Sequence, residues 1–62
     1  MGGFNEGDIV QFVYKTGDNK DSGTVTAAID KIEELYLVFK LSSGDKIFVP
    51  ADNLYFMKKQ GV

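Results

Sequence analysis

Two glycine–aspartate pairs each open a short run of strand-forming residues. Gly7-Asp8 precedes Ile9-Val10-Gln11-Phe12-Val13-Tyr14, and Gly44-Asp45 precedes Lys46-Ile47-Phe48-Val49-Pro50. Between them lies Gly23-Thr24-Val25-Thr26-Ala27-Ala28-Ile29. Runs of this length, rich in β-branched and aromatic side chains and bounded by turn formers, read as strands. The whole chain is 62 residues, enough for one domain and one small core. Short strands with glycines at the corners predict an all-β fold bent into a small barrel, because closure removes exposed strand edges. The expected domain spans residues 1–62, with frayed ends at 1–3 and 59–62.

Alternation assigns faces. The first strand is expected over residues 8–15, with Val10, Phe12 and Tyr14 on one face and Ile9, Gln11 and Val13 on the other. A polar loop with strong turn chemistry follows at 16–23. The second strand is expected over 24–30, with Val25, Ala27 and Ile29 inward. Residues 31–41 admit two readings. Asp30-Lys31-Ile32-Glu33 has the spacing of a capping box, and Ile32, Leu35, Tyr36 and Phe39 have helical spacing. Residues 35–41 also alternate, with Leu35, Leu37, Phe39 and Leu41 on one face and Tyr36, Val38 and Lys40 opposite. A helix here would be apolar almost all round, more than so short a chain can bury. The preferred reading is a strand over 35–41, preceded by a turn at 31–34 and followed by a hairpin at 42–45. Pro50 ends the fourth strand, since it has no N–H for the ladder. Ala51-Asp52-Asn53 suits a 3₁₀ turn, and a fifth strand is expected over 54–57. The expected core is Phe12, Val25, Ile29, Leu37, Phe39 and Phe48.

Composition excludes several kinds of chemistry. There is no cysteine, hence no disulfide and no thiolate nucleophile or ligand. There is no histidine, so the usual general base near pH 7 and the commonest metal ligand are both missing. All seven cations are lysines, which rules out bidentate guanidinium readout of guanine or phosphate. The formal net charge is −2, and Lys58-Lys59, the one adjacent cationic pair, reads as a solvated tail. Tight nucleic-acid binding is therefore not expected. Nine carboxylates remain. Acid/base carboxylate pairs need a cleft, which a chain this short rarely builds, so an enzyme is not expected. Asp18, Asn19 and Asp21 form an oxygen-rich loop, but without the order or terminal glutamate of an EF-hand, and read as solvated loop charge. Glu33-Glu34 reads the same way. No cofactor is expected. No run approaches the roughly 18 apolar residues of a membrane span. Residues 1–6 lack the basic start and apolar stretch of a secretory leader, and glutamate at position 6 breaks the myristoylation pattern. The expectation is a cytoplasmic protein.

Gly7-Asp8-x-Val10, then Gly23-x-Val25 with Ile29, then Leu37-Val38-Phe39 and a glycine hairpin, resemble the SH3-like barrel superfold, in particular its Tudor and KOW branches. The resemblance covers about residues 6–55 and implies a five-stranded SH3-like barrel with a short 3₁₀ turn before the last strand. It also implies a binding module. In the Tudor pattern Tyr14 takes the first position of an aromatic cage and Phe39 lies near a later one. The positions near Thr24, Val25 and Ser43 hold no aromatic residue, so the cage is incomplete. A KOW-like RNA contact would fall on residues 21–39, where acidic residues stand in place of cations. Residues 49–55 are loosely similar to the Pro-x-Asn-Tyr turn of SH3 domains, but tryptophan is absent and Pro50 and Asn53 read as turn builders.

The eight aromatic residues carry the functional expectation. Tyr36 and Val38 share the outer face of the third strand, and Tyr55 or Phe56 must also face outward. The sequence thus predicts a small protein-interaction module with a tyrosine-rich rim (Tyr14, Tyr36, Tyr55) and an acidic loop (Asp18, Asp21). Its partner would be a protein or a second copy in a homo-oligomer. A nucleic-acid-associated KOW-like module and a structural subunit of a larger assembly are the alternatives.

Overall fold

A computed structural model describes residues 3–60. The ambiguous stretch at 31–41 holds no helix: residues 31–32 end one strand, 33–35 turn, and 36–40 form the next strand. The strands are β1 (Ile9–Tyr14), β2 (Val25–Ile32), β3 (Tyr36–Lys40), β4 (Lys46–Pro50) and β5 (Leu54–Lys59), with a single 3₁₀ turn at Ala51–Asn53. Every pairing is antiparallel, in the order β4-β3-β2-β1-β5. The fold is thus all-β with one 3₁₀ turn, as expected. The sheet is an open series whose edges are β4 and β5.

That sheet is far from flat. Its Cα extents are 29 × 25 × 21 Å, whereas a flat sheet is only about 10 Å thick with its side chains. The curl brings all five strands onto one core. Val10, Phe12, Ala27, Ile29, Leu37, Phe39 and Val49 form the buried cluster, with Leu54 and Met57 of β5 packed against it. Phe12 and Phe39 lie on strands separated by β2, yet their rings stack with centroids 3.8 Å apart and planes at 16°.

Two bulges set the side-chain faces. Between Ile29 and Lys31 the β2–β3 register slips at Asp30. Lys31 is thereby set opposite Val38, on the outer face, and Ile32 opposite Leu37, on the inner one. This is why β2 runs to Ile32, through residues expected in a turn: the bulge lets an isoleucine, not a lysine, face the core. The second bulge lies on β5. Val13 pairs with Phe56 and Tyr14 with Leu54, which leaves Tyr55 as the extra residue.

The core differs from expectation at three positions. Phe48, expected inside, is 65% exposed. Val38, expected outside, is buried. Val25 is half-buried, and Val10, Ala27 and Val49 complete the interior. Hairpin register explains Phe48. Gly44, at φ 94°, closes a tight turn in which its N–H and that of Leu41 donate to Leu41 O and Asp45 O. From that closing pair, Ile47 falls opposite Phe39 and Val49 opposite Leu37, both inward, so Phe48 must face out. Val38, on β3 with a paired strand on each side, is flanked across the outer face by Lys31 and Phe48.

At the chain ends, Lys58 and Lys59 belong to β5 and not to a frayed tail: Lys59 pairs with Val10, and its Nζ lies 3.6 Å from Asp8 Oδ2. Of the frayed ends expected at 1–3 and 59–62, residues 1–2 and 61–62 lie outside the described residues. No helix among the described residues is long and apolar enough to cross a membrane.

Candidate interaction surface

The outward positions of β3 and β4 are Tyr36, Val38, Lys40 and Lys46, Phe48, Pro50. Tyr36 pairs with Pro50, so Phe48 is its diagonal neighbour on the same face. Their ring centroids lie 6.1 Å apart with planes at 30°. Leu35 precedes β3 and is 76% exposed, its carbonyl accepting the Ala51 N–H at 2.9 Å. Tyr36 and Phe48 thus share the outer face with the buried Val38, and Leu35 is exposed just before β3. The sequence singled out Tyr36 but missed Leu35 and Phe48. The signal for Phe48 was present: the Ser42-Ser43-Gly44 turn fixes which β4 residues face out.

The other predicted site residues are dispersed. Tyr55, the bulge residue, is 56% exposed, next to the exposed Phe56. Tyr14 is half-buried on the core, its ring centroid 5.9 Å from that of Phe12. Its strand pairing sets it opposite Leu54, beside Tyr55 in the chain, whereas Tyr36 lies on the opposite side of the sheet order. Among the described residues Tyr55 shares no ring pair with another aromatic.

Asp18 and Asp21 are exposed in the β1–β2 loop, where their carboxylates serve the loop itself. Asp18 accepts from the Thr16 hydroxyl, and Asp21 Oδ1 accepts from the Gly23 N–H at 3.2 Å. Lys15 and Lys20 bracket Asp18, so the loop carries balanced charge. The loop is nonetheless well anchored. Ser22 N–H donates to Tyr14 O at 2.8 Å, and Lys15 N–H donates to Asn53 O at 2.8 Å, tying its base to the turn before Tyr55.

An open, largely apolar groove of about 270 Å³ lies near Ile9, Ala28, Lys40 and Leu41, where β1, β2 and the end of β3 meet. Among the described residues no group of three or more acidic, histidine or cysteine side chains could hold a metal ion. In comparisons with protein-family models, curated proteins and solved structures, nothing matches this chain.

Proposed function

We propose that this domain is an SH3-like barrel acting as a protein-interaction module, with Leu35, Tyr36 and Phe48 as its contact surface. The strand order, the long β1–β2 loop, the glycine hairpin and the 3₁₀ turn before β5 support the fold part of this reading. The function part rests on one observation: the Tyr36–Phe48 ring pair stands in solvent on the outer face, with the exposed Leu35 next to Tyr36 in the chain. Contiguous exposed apolar patches on small proteins mark contact surfaces. A tyrosine–phenylalanine pair supplies large contact area at small rotamer cost. Lys31, Lys40 and Lys46 edge the same face and surround the apolar centre with a polar margin.

A second surface is favoured by a separate observation. The Lys15–Asn53 hydrogen bond holds the β1–β2 loop beside the turn that leads into Tyr55. This makes Tyr14, Tyr55 and the Asp18–Asp21 loop one end of the molecule. Cross-linked pull-downs from the native host distinguish the two, using Tyr36→Ser and Phe48→Ser against Tyr14→Ser and Tyr55→Ser, each checked for retained folding. Loss of captured protein with the first pair supports the β3–β4 surface, and loss with the second pair supports the rim. Full capture by all four refutes both.

A further inference from the structure

We propose that β4 is a docking edge for a second copy of this chain, the two β4 strands pairing antiparallel about Phe48. This names the partner of the surface proposed above and rests on that reading. The backbone geometry of the edge carries it. Leu41 N–H donates to Asp45 O, and Ala51 N–H donates to Leu35 O. Hydrogen-bonded pairs recur every second residue along an antiparallel ladder. The pairs turned toward β3 are therefore Ile47 with Phe39 and Val49 with Leu37. Lys46, Phe48 and Pro50 turn their backbone groups the other way, off the edge of the sheet.

That edge is self-complementary in one register. With Phe48 opposite Phe48 of the second copy, each Phe48 N–H meets the other's carbonyl. Each Lys46 N–H meets the other copy's Pro50 carbonyl. Pro50 has no N–H, so the register makes four hydrogen bonds and forgoes two. Sliding by two residues in either direction sets an outward position against the other copy's hairpin turn or its 3₁₀ segment. Only the Phe48-centred register keeps all three positions of both copies paired within strands. It also joins the two Tyr36–Phe48 ring pairs into one apolar row across the dyad.

Protein edges are commonly guarded by lysines, bulges and proline. β5 has such guards, with Lys58, Lys59 and the Tyr55 bulge. On β4 the lysine and the proline sit at the strand ends, and its exposed centre is a phenylalanine. Lys46 is occupied: its Nζ lies 3.2 Å from Asp30 Oδ2 of its own chain. In the paired register the two Lys46 Cα positions fall about 14 Å apart along the strands, beyond the roughly 8 Å screening length at physiological salt. A five-residue strand buries less than the roughly 1,200 Å² of a stable interface, so the dimer is weak and concentration-dependent.

The test is a dilution series from about 1 mM to about 10 µM, a range suited to a weak interface, followed by amide NMR and sedimentation equilibrium. The expected result is a mass rising toward two chains, with shift changes and added exchange protection at Lys46 and Phe48. A chemically synthesised chain N-methylated at Phe48 keeps the ring and loses the outward N–H. It should fold and stay monomeric, as should Phe48→Lys. A monomeric mass throughout, association mapping to β5, or undiminished dimerisation of the folded N-methyl chain would overturn the proposal. If a monomeric wild type still captures a different protein through Phe48, the second-copy proposal fails while the β3–β4 contact surface stands.

Discussion

Phe39 and Phe48 lie on adjacent strands of one hairpin, and the fold assigns them opposite stabilities. Phe39 is fully buried and stacks on Phe12 at 3.8 Å. Phe48 faces solvent. Truncating a buried phenylalanine to alanine removes its transfer free energy and leaves a cavity, about 3–5 kcal/mol in all. A domain of 62 residues has a total stability of about 3–9 kcal/mol by per-residue scaling. Phe39→Ala should therefore consume most of that margin and leave the chain largely unfolded at 25 °C. Phe48→Ala should cost no more than about 1 kcal/mol, since most of the ring is already hydrated. The assay is urea unfolding followed by far-UV circular dichroism, read at micromolar concentration so that association does not contribute. With a urea slope of about 1 kcal/mol per molar for so small a chain, the midpoints of the two variants should differ by about 2 M or more. Equal midpoints would refute the assignment of these rings to opposite faces. A cooperative Phe39→Ala transition close to wild type would refute the stacked core itself.

Gly44→Ala should destabilise the fold by about 1–2 kcal/mol, because the hairpin holds this residue at φ 94° and an added Cβ meets no neighbour within 4 Å, leaving backbone conformation as the sole cost; urea unfolding checks it. Deleting Asp30 removes the extra residue itself, so Ile29, Lys31 and Ile32 then alternate in, out, in and keep their faces; the loss should be that of the half-exposed Lys46 ion pair, no more than about 1 kcal/mol. Asp30→Asn keeps the bulge, disturbs only a half-exposed ion pair, and should cost no more than about 1 kcal/mol; melts of the two variants compare them. RNA and duplex DNA should show no sub-micromolar binding at about 150 mM salt by fluorescence anisotropy, since the lysines are scattered and net charge is negative.

Strand positions were legible because period-two alternation is a local property. The stretch at 35–41 was decided by burial: a helix there would have needed a larger interior than the chain has. Inner-face assignment was legible wherever a strand kept one parity, as at Phe12, Ile29, Leu37 and Phe39. It failed where parity depends on a neighbour. Phe48 is as apolar as Phe39, and only the register set by the Gly44 turn sends it outward. Val38 is outward on β3 and still buried, because β3 has a paired strand on each side and Lys31 and Phe48 flank it there. The Phe48 register is readable from the hairpin turn, whereas the cover over Val38 depends on pairing with two neighbouring strands, one of them shifted by the Asp30 bulge. Of the candidate site residues, Tyr36 was expected outward from parity and is exposed; for the last strand the sequence offered Tyr55 or Phe56, and both are exposed. Tyr14 packs half-buried on the core because it shares the inner face of β1 with Val10 and Phe12.

The two bulges connect fold to surface. A strict alternation through β2 would place Val25, Ala27, Ile29 and Lys31 on one face. The extra residue at Asp30 resets the phase, so that Ile32 joins Leu37 and Val49 inside. The extra residue at Tyr55 does the same for β5, turning Leu54 and Met57 inward and leaving the tyrosine outside. With both corrections, every strand supplies the core from its inner face, and Val38 is the one buried outer-face residue among the described residues. Leu35, Tyr36 and Phe48 are then surplus to packing. Exposed apolar side chains of this size add nothing to folding stability, and on an edge strand they invite association. Phe48 on the edge strand β4 and Tyr36 beside it on β3 are thus apolar surface that core packing does not account for, and the proposed contact surface gives them a role.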